Sequence, residues 1–206
     1  MAAPRGLVVV LFLIVLAFAL FAGWWSNRRT EYFPVGLADE MADCIVHGIE
    51  RPAMGPDEAE GFADALADFR EPSLFRRPER AGRSVRLTYL PSLIGDDVVV
   101  RIDALPDGRQ HMIAKRKTSG GDEMIDRVLS PAEAANLEQV LQRTDFFSLP
   151  PSGCSPFPDG VQWILEGWSP ATGYAYRQRQ SPEPGVERTL GLHLAGLTGW
   201  TLEPVF

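Results

Sequence analysis

The spacing of hydrophobic and polar positions changes along the chain, and the change predicts where helices give way to strands. Between residues 37 and 69, apolar side chains recur every three or four positions, which is the spacing of one helix face. This spacing predicts a first helix that begins near Leu37 and stops at Gly48, and a second helix over residues 56–69. From residue 84 onward, apolar and polar residues alternate instead, as they do in half-buried strands.

The alternating stretches predict six strands, and two later stretches predict further helices. The strands are expected at residues 84–89, 98–104, 110–117, 124–129, 161–167 and 174–180. A helix over 131–144 begins with the capping box Ser130-Pro131-Ala132-Glu133, and a last helix covers 185–197. The order β-β-β-β-α-β-β-α predicts an α+β domain, in which an antiparallel sheet has its helices packed on one face.

The N-terminal stretch has a different pattern, because residues 6–25 contain no charged side chain. A helix of this length spans about 30 Å, the thickness of a bilayer's hydrocarbon core. The stretch therefore predicts a single transmembrane helix that acts as a signal anchor. A cleaved signal peptide is the alternative, since residues 17–19 form an A-x-A site, and the product would then be secreted.

The flanking charges hardly decide the orientation, because Arg5 lies on one side of the apolar stretch and Arg28 and Arg29 on the other. The short N-terminal tail is typical of an export signal, so the soluble part is expected outside the cytoplasm. Arginine far outnumbers lysine, and with the abundant Ala, Gly and Pro this suggests a bacterial origin. The predicted location is the bacterial inner membrane, with a periplasmic domain.

The predicted organisation has three parts: an anchor at 1–29, a helical preface and connector at 30–82, and an α+β domain at 83–206. A chain with 45% hydrophobic and 23% charged residues is typical of globular proteins, which argues against wholesale disorder. The net charge of −7 gives no general attraction to nucleic acid. The expected partners are therefore the membrane, through residues 6–25, and an envelope protein.

The two cysteines, Cys44 and Cys154, allow two interpretations. In an oxidising compartment they could form a disulfide, which fits a domain outside the cytoplasm. They could equally be two separate buried thiols, because cysteine is often buried. Their spacing does not choose between the two.

Candidate binding residues lie in the last two predicted strands. If Gly167 faces Tyr174, one face carries Trp163 and Tyr176 and the other carries Gln162, Glu166, Arg177 and Arg179. Glu166 would then lie diagonal to Arg177, within reach of an ion pair. The polar face is either a binding patch or a solvated sheet face with paired charges. The candidate binding residues are Gln162, Trp163, Glu166, Tyr176 and Arg177.

The segment 159–167, with the sequence DGVQWILEG, resembles the signature strand of a bacterial family whose domain has no assigned function. In that family the D-G-x-Q-W-I-L-E-G strand precedes a tyrosine-bearing strand and a short S-P-E segment, which here correspond to Tyr174, Tyr176 and Ser181-Pro182-Glu183. The similarity covers residues 84–199. The glycine-rich loop of the family is reduced to residues 119–122. The resemblance implies an architecture and no catalytic residue or cofactor.

Familiar catalytic patterns are absent from the sequence. The three histidines, His47, His111 and His193, lie in three different predicted elements, too few and too scattered for a zinc site. The sequence contains no nucleophile elbow, phosphate-binding glycine loop or H-E-x-x-H motif. No catalytic residue, metal site or cofactor is therefore predicted.

The sequence favours a membrane-anchored, envelope-facing interaction or binding module without enzymatic activity. Two alternatives stay open. The first is a hydrolase that uses the carboxylates of Asp159 and Glu166. The second is a small-molecule or glycan binder that stacks its ligand on Trp163, Trp168 and Tyr176.

Overall fold

A computed structural model describes residues 32–46, 49–76, 82–154 and 159–202, together with Val15; for 42–46 and 49 it describes the backbone alone. Short 3-10 helices occupy Val35–Ala38 and Phe146–Ser148. The other elements are β1 (Met41–Val46), β2 (Ile49–Pro52), α1 (Pro56–Asp68), β3 (Ser84–Pro91), β4 (Asp97–Ala104), β5 (Gln110–Thr118), β6 (Gly121–Val128), α2 (Pro131–Thr144), β7 (Ser152–Cys154), β8 (Val161–Ser169), β9 (Gly173–Gln180) and α3 (Val186–Gly196).

Seven strands form the central sheet, in the order β6-β5-β4-β3-β8-β9-β7. All neighbouring pairs are antiparallel except β7 and β9, which run parallel. The β4–β5 turn follows local chemistry, since the Asp107 side chain accepts a hydrogen bond from the Arg109 backbone N–H at 3.0 Å. Gly108 closes this turn with φ of 84°, a backbone conformation that L side chains rarely adopt.

Helices α2 and α3 cover one face of the sheet, and their apolar side chains form the larger core with it. Trp163 on β8 lies at the centre of this core and is fully buried. Its indole packs edge-on against Tyr89 and so closely under α3 that a Cβ atom on Gly191 would lie 2.5 Å from it. The capping box of α2 forms as predicted: the Glu133 backbone N–H donates to Ser130 Oγ, and the Ser130 N–H donates to Glu133 Oε2.

Helix α1 covers the opposite face and forms a second, smaller core. Phe62 and Leu66 on the helix, and Phe69 directly after it, pack with Ile164 and Tyr176 on the sheet. The segment that follows α1, residues 69–75, then lies across the same face; we call it the connector strap. The sheet is therefore a middle layer with helices on both sides.

The α+β class agrees with the sequence prediction, and the order of elements from residue 84 to α3 differs from it by the additional strand β7 between α2 and β8. Helices α2 and α3 lie on one face, as expected, but α1 lies on the other. One parallel pair, β7 with β9, departs from the predicted all-antiparallel sheet. Strand β7 is only three residues long and follows a proline-rich stretch, so no alternation predicts it.

The helix predicted from Leu37 to Gly48 is wrong. A 3-10 turn contains Leu37, and the chain then forms β1 and β2, an antiparallel pair separated by only two residues. Such a separation is typical of a hairpin. Apolar residues spaced three and four apart also suit a short strand that is covered by its neighbours, so periodicity alone gave the wrong element.

Several sequence predictions lie outside the described residues. These are the anchor over 6–25, apart from Val15, and the histidine at position 47. Within the described part of the chain, no helix combines the length and the apolar character that crossing a bilayer requires.

Candidate functional site: the charged face of the sheet

The register of β8 and β9 differs from the predicted one by one residue. Glu166 lies opposite Tyr176, and Ser169 lies opposite Gly173. The connection has three residues, 170–172, where the prediction had six, and Gly173 adopts a φ of 78°. Because side chains alternate along a strand, the slip moves one strand's side chains to the other face.

The candidate binding residues are consequently divided between the two faces. Gln162, Glu166 and Tyr176 face α1, whereas Trp163 and Arg177 face α2 and α3. The predicted contact between Glu166 and Arg177 does not form. The polar face was also expected to be open to solvent, but Glu166 is 0% exposed because the connector strap and α1 cover it.

Glu166 forms its ion pair with Arg86, its direct partner on β3. The Nε and Nη2 groups of Arg86 donate to Glu166 Oε2 at 2.9 Å and 2.6 Å, and the side chains of both residues are 0% exposed. The Tyr174 hydroxyl donates to the other oxygen, Glu166 Oε1, at 2.8 Å. The remaining guanidinium group of Arg86, Nη1, donates to the carbonyl of Pro72 at 2.7 Å. Both oxygens of the Glu166 carboxylate are thus engaged.

Glu71, in the connector strap, is the second buried carboxylate. Arg101 Nε donates to its Oε2 at 2.7 Å, and Lys115 Nζ donates to its Oε1 at 2.6 Å. Arg86 Nη1 lies 3.8 Å from the same carboxylate. Lys115 also donates to the carbonyl of Phe69 at 2.7 Å. The strap is therefore attached to β3, β4 and β5 through charged groups.

Asp103 completes the cluster, because it accepts from Arg101 and from Ser84 Oγ, the latter at 2.6 Å. We call Glu71, Arg86, Arg101, Asp103, Lys115 and Glu166 the charge network. It holds three acidic and three basic side chains, so their formal charges cancel. Removing one partner from a buried ion pair typically costs about 3–5 kcal/mol, since the other charge is left uncompensated. The charge network thus favours one position of the strap on the sheet.

Two tyrosines border the charge network, and burial raises the pKa of both well above the usual range. For Tyr174 the neighbouring carboxylate of Glu166 raises the pKa further, so this phenol stays protonated and acts as a donor. The Tyr176 hydroxyl is buried without a hydrogen-bond partner among the described residues. Its ring packs edge-on against Phe33, which makes Tyr176 part of the smaller core.

Trp163 and Arg177, on the face covered by α2 and α3, likewise make contacts within the fold. Trp163 is enclosed by the larger core, and Arg177 donates through Nε to Glu187 on α3 at 2.5 Å. Arg177 Nη1 donates to the carbonyl of Pro150 at 3.0 Å, which ties β9 to the loop before β7. Four of the five candidate residues are buried, and the fifth, Gln162, is half-buried.

The side chains that the two alternative functions require, hydrolysis by paired carboxylates and ligand stacking on aromatic rings, do not lie together in the structure. The Asp159 carbonyl accepts from Gln180 Nε2, at the end of β9, whereas Glu166 lies opposite Tyr176. Gln180 and Tyr176 are four positions apart along β9, which is about 13 Å, more than the ~5–10 Å between the paired carboxylates of glycosidases. Trp163 and Trp168 face opposite sides of the sheet, since their positions differ by an odd number.

Of the described histidines, His111 lies on β5 directly opposite Asp103 of the charge network, whereas His193 lies on the other side of the sheet, on α3. His111 Nε2 lies 2.6 Å from Asp126 Oδ1 on the neighbouring strand. His193 lies on α3, where burial and then the charge of Arg143 lower its pKa. Among the described residues, no group of three or more His, Cys, Asp or Glu side chains could hold a metal ion.

Cys154, at the end of β7, is disulfide-bonded. The sequence contains one other cysteine, Cys44, which belongs to β1. Strand β7 and the end of β2 approach so closely that a Cβ atom on Gly153 would lie 1.8 Å from the carbonyl oxygen of Ala53. A glycine at 153 therefore allows the N-terminal hairpin to lie beside the edge of the sheet.

Sequence reasoning missed most of the charge network. Glu71 lies in the predicted connector, and Arg86 and Arg101 lie at polar positions of two strands that are predicted to be half-buried. One signal was available: Arg86, Arg101 and Lys115 occur in three consecutive strands that also carry strongly apolar positions. In comparisons with known proteins, the chain matches no family model and is significantly similar to no curated protein.

Proposed function

We propose that the protein is a membrane-anchored, envelope-facing interaction module, and that it acts by binding rather than by catalysis. The observation that carries this proposal is the closed charge network. Glu166, the residue best placed in the sequence to act as a general base, accepts from Arg86 and Tyr174 and has no contact with solvent. A general base must reach the proton of its substrate within hydrogen-bond distance. The network instead fixes the strap, and so supports a rigid platform.

The location outside the cytoplasm is part of the same proposal. It is supported by the disulfide of Cys154, because disulfides persist in oxidising compartments. We infer that the partner cysteine is Cys44, which would fasten the N-terminal hairpin to β7. Cys44 lies close in sequence to the predicted anchor, so this disulfide would connect the anchor to the sheet by a covalent bond.

The tip of the β3–β4 hairpin is the surface that we expect the envelope partner to contact. Leu93 and Ile94 at this tip expose 78% and 83% of their surface, although large aliphatic side chains are usually buried. Gly95, with φ of 134°, shapes the tip. Two adjacent exposed aliphatic residues on a rigid hairpin suit insertion into an apolar pocket of a protein partner.

Site-specific photo-crosslinking in native membranes tests the proposal. A photoreactive amino acid at Ile94 should give a discrete adduct with an envelope protein, whereas the same amino acid at Glu60, an exposed position on α1, should not. Leu93→Ser should abolish the adduct without changing the amount of folded protein. Identical labelling at both positions, or none at Ile94, would contradict the proposed contact.

A further inference from the structure

Strand β6 forms one edge of the central sheet, and it is unusually long for an exposed edge. It has eight residues and pairs with β5 on one side. Within the described ranges, no strand pairs with its outer side. Met124 and Val128 on this strand expose 66% and 39% of their surface. An uncovered edge of this length is a template for pairing with another strand.

The hydrogen bonds of the hairpin show which backbone groups of β6 point outward. The Leu129 N–H donates to the Gln110 carbonyl at 2.8 Å, so residue 129 directs its backbone groups toward β5. Backbone direction alternates along an antiparallel strand. Residues 123, 125 and 127 therefore also point toward β5. Their neighbours direct N–H and C=O groups outward: Asp122, Met124, Asp126 and Val128.

The outer side of β6 is self-complementary in one register. If two copies pair antiparallel about a two-fold axis perpendicular to the sheet, one residue lies opposite itself. With Ile125 at the centre, Glu123 lies opposite Arg127 of the second copy, and this contact occurs twice. Met124 then lies opposite Asp126 of the second copy, so no like charges oppose one another. Opposite charges directly across a strand pair are stabilising, and here they would extend the ion pairs that each chain already makes, Glu123 with Arg116 and Arg127 with Glu133.

The four neighbouring registers each place like charges in opposition. With Glu123, Asp126 or Arg127 at the centre, that residue lies opposite its own copy. With Met124 at the centre, Asp122 lies opposite Asp126 twice. Like charges directly opposite one another destabilise a strand pair. Among the five registers centred on Glu123 to Arg127, the charges on β6 therefore permit only the one centred on Ile125.

We propose that β6 is a homodimerisation edge, which pairs antiparallel with β6 of a second copy, with Ile125 at the two-fold axis. The outward groups of Asp122, Met124, Asp126 and Val128 supply the hydrogen bonds of the new ladder. The two seven-stranded sheets then form one continuous sheet. The charge network uses residues of β3, β4, β5, β8 and the connector strap and none of β6, so the outer edge of β6 is separate from it and independent of the proposed function.

A cysteine scan of the full-length chain in native membranes tests the register. Each position from Glu123 to Arg127 is replaced singly by cysteine, and mild oxidation is followed by non-reducing electrophoresis. At the centre, the two Cα atoms lie about 4.5 Å apart, which a disulfide can bridge. One residue off the centre, the distance to the same residue of the second copy rises to about 8 Å, which is too far.

The expected result is a covalent dimer with Ile125→Cys, and monomer with the other four variants and the wild type. A dimer that forms at another position, at all five positions or at none would overturn the proposal. The native disulfide of Cys154 leaves the wild type as a low-background control.

Blocking the outward backbone tests the ladder itself. Met124→Pro removes an outward N–H but no hydrogen bond to β5, and edge strands tolerate proline at such positions. Met124→Thr is the matched control, since it keeps the N–H and has good strand propensity. In the Ile125→Cys background, Met124→Pro should abolish the crosslink and Met124→Thr should retain it, with equal melting temperatures. Persistence of the crosslink in the proline variant would also overturn the proposal.

Discussion

Replacing Glu166 with glutamine removes the negative charge that the buried Arg86 faces. The guanidinium then retains the Pro72 carbonyl at 2.7 Å and the more distant Glu71 carboxylate at 3.8 Å. A buried charge that loses its partner typically costs about 3–5 kcal/mol of unfolding free energy. Because two acceptors remain, we expect a loss of about 3 kcal/mol. Arg86→Met should cost about 4 kcal/mol, since Glu166 would retain only the Tyr174 hydroxyl within hydrogen-bond distance.

The double variant Arg86→Met/Glu166→Gln removes both charges and keeps an oxygen that can accept from Tyr174. Replacement of a buried ion pair by neutral groups is often close to neutral in stability. The unfolding free energy should therefore fall by no more than about 2 kcal/mol, which gives a coupling of about 5 kcal/mol from the cycle.

Urea unfolding at neutral pH, followed by tryptophan fluorescence, measures all four proteins under one condition. Urea is preferable to guanidinium, since an ionic denaturant would screen the pair. Additive losses in the double variant, with a coupling below about 1 kcal/mol, would refute the reasoning that these two charges depend on each other.

Three further predictions follow from other parts of the fold. Gly191→Ala should destabilise the protein by about 1–3 kcal/mol, because the new Cβ would lie 2.5 Å from the Trp163 ring. Gly196→Ala is the control and should not destabilise the protein, because the space around Gly196 is open. Thermal melting and near-ultraviolet circular dichroism of the two variants measure the difference. A disulfide between Cys44 and Cys154 closes a loop of roughly 110 residues, so its reduction should lower the unfolding free energy by about 4–5 kcal/mol. Urea unfolding with and without reductant measures this loss, and an unchanged midpoint would be inconsistent with the Cys44–Cys154 pairing. Hydrogen bonds from Arg127 and from Ser130 lower the pKa of Glu133 to about 2 from its usual 4.5. The stabilising contribution of the Glu133 carboxylate is therefore complete above pH 4.5 and disappears as the pH falls toward 2. Glu133→Gln should therefore flatten the loss of melting temperature between about pH 5 and about pH 2, and an unchanged profile would count against the ion pair.

Local sequence signals predicted the elements whose chemistry is local. The strands from 84 onward alternate in polarity, and the capping box at Ser130 begins α2 where expected. The turn at Asp107-Gly108 likewise joins β4 to β5. Each of these features depends on residues within a few positions of one another, so the sequence contains the information directly.

The register of β8 and β9 was not predictable in the same way. A loop of three residues and one of six are both compatible with the sequence around Pro170, and a difference of one residue reverses the faces. The pattern of polar and apolar positions did not indicate the correct register, because both faces of this sheet are covered. The alternation rule assumes one solvated face, which α1 and the strap remove.

The charge network depends on residues that are distant in sequence. Glu71 and Arg101 are 30 positions apart, and Arg86 and Glu166 are 80 apart. Their pairing follows from the sheet order, which places β3 between β4 and β8. Charged residues on predicted strands are ordinarily assigned to solvent, so the sequence favoured an open patch where the structure has a closed cluster.

The most direct test of the account asks whether the charge network serves structure alone. The Arg86→Met/Glu166→Gln variant, once its folding is verified by urea unfolding, is introduced into native membranes with the photoreactive amino acid at Ile94. We predict the same adduct, in the same yield, as the wild-type sequence gives. A variant that folds normally but loses the adduct would show that these buried charges take part in the function, and would contradict the account.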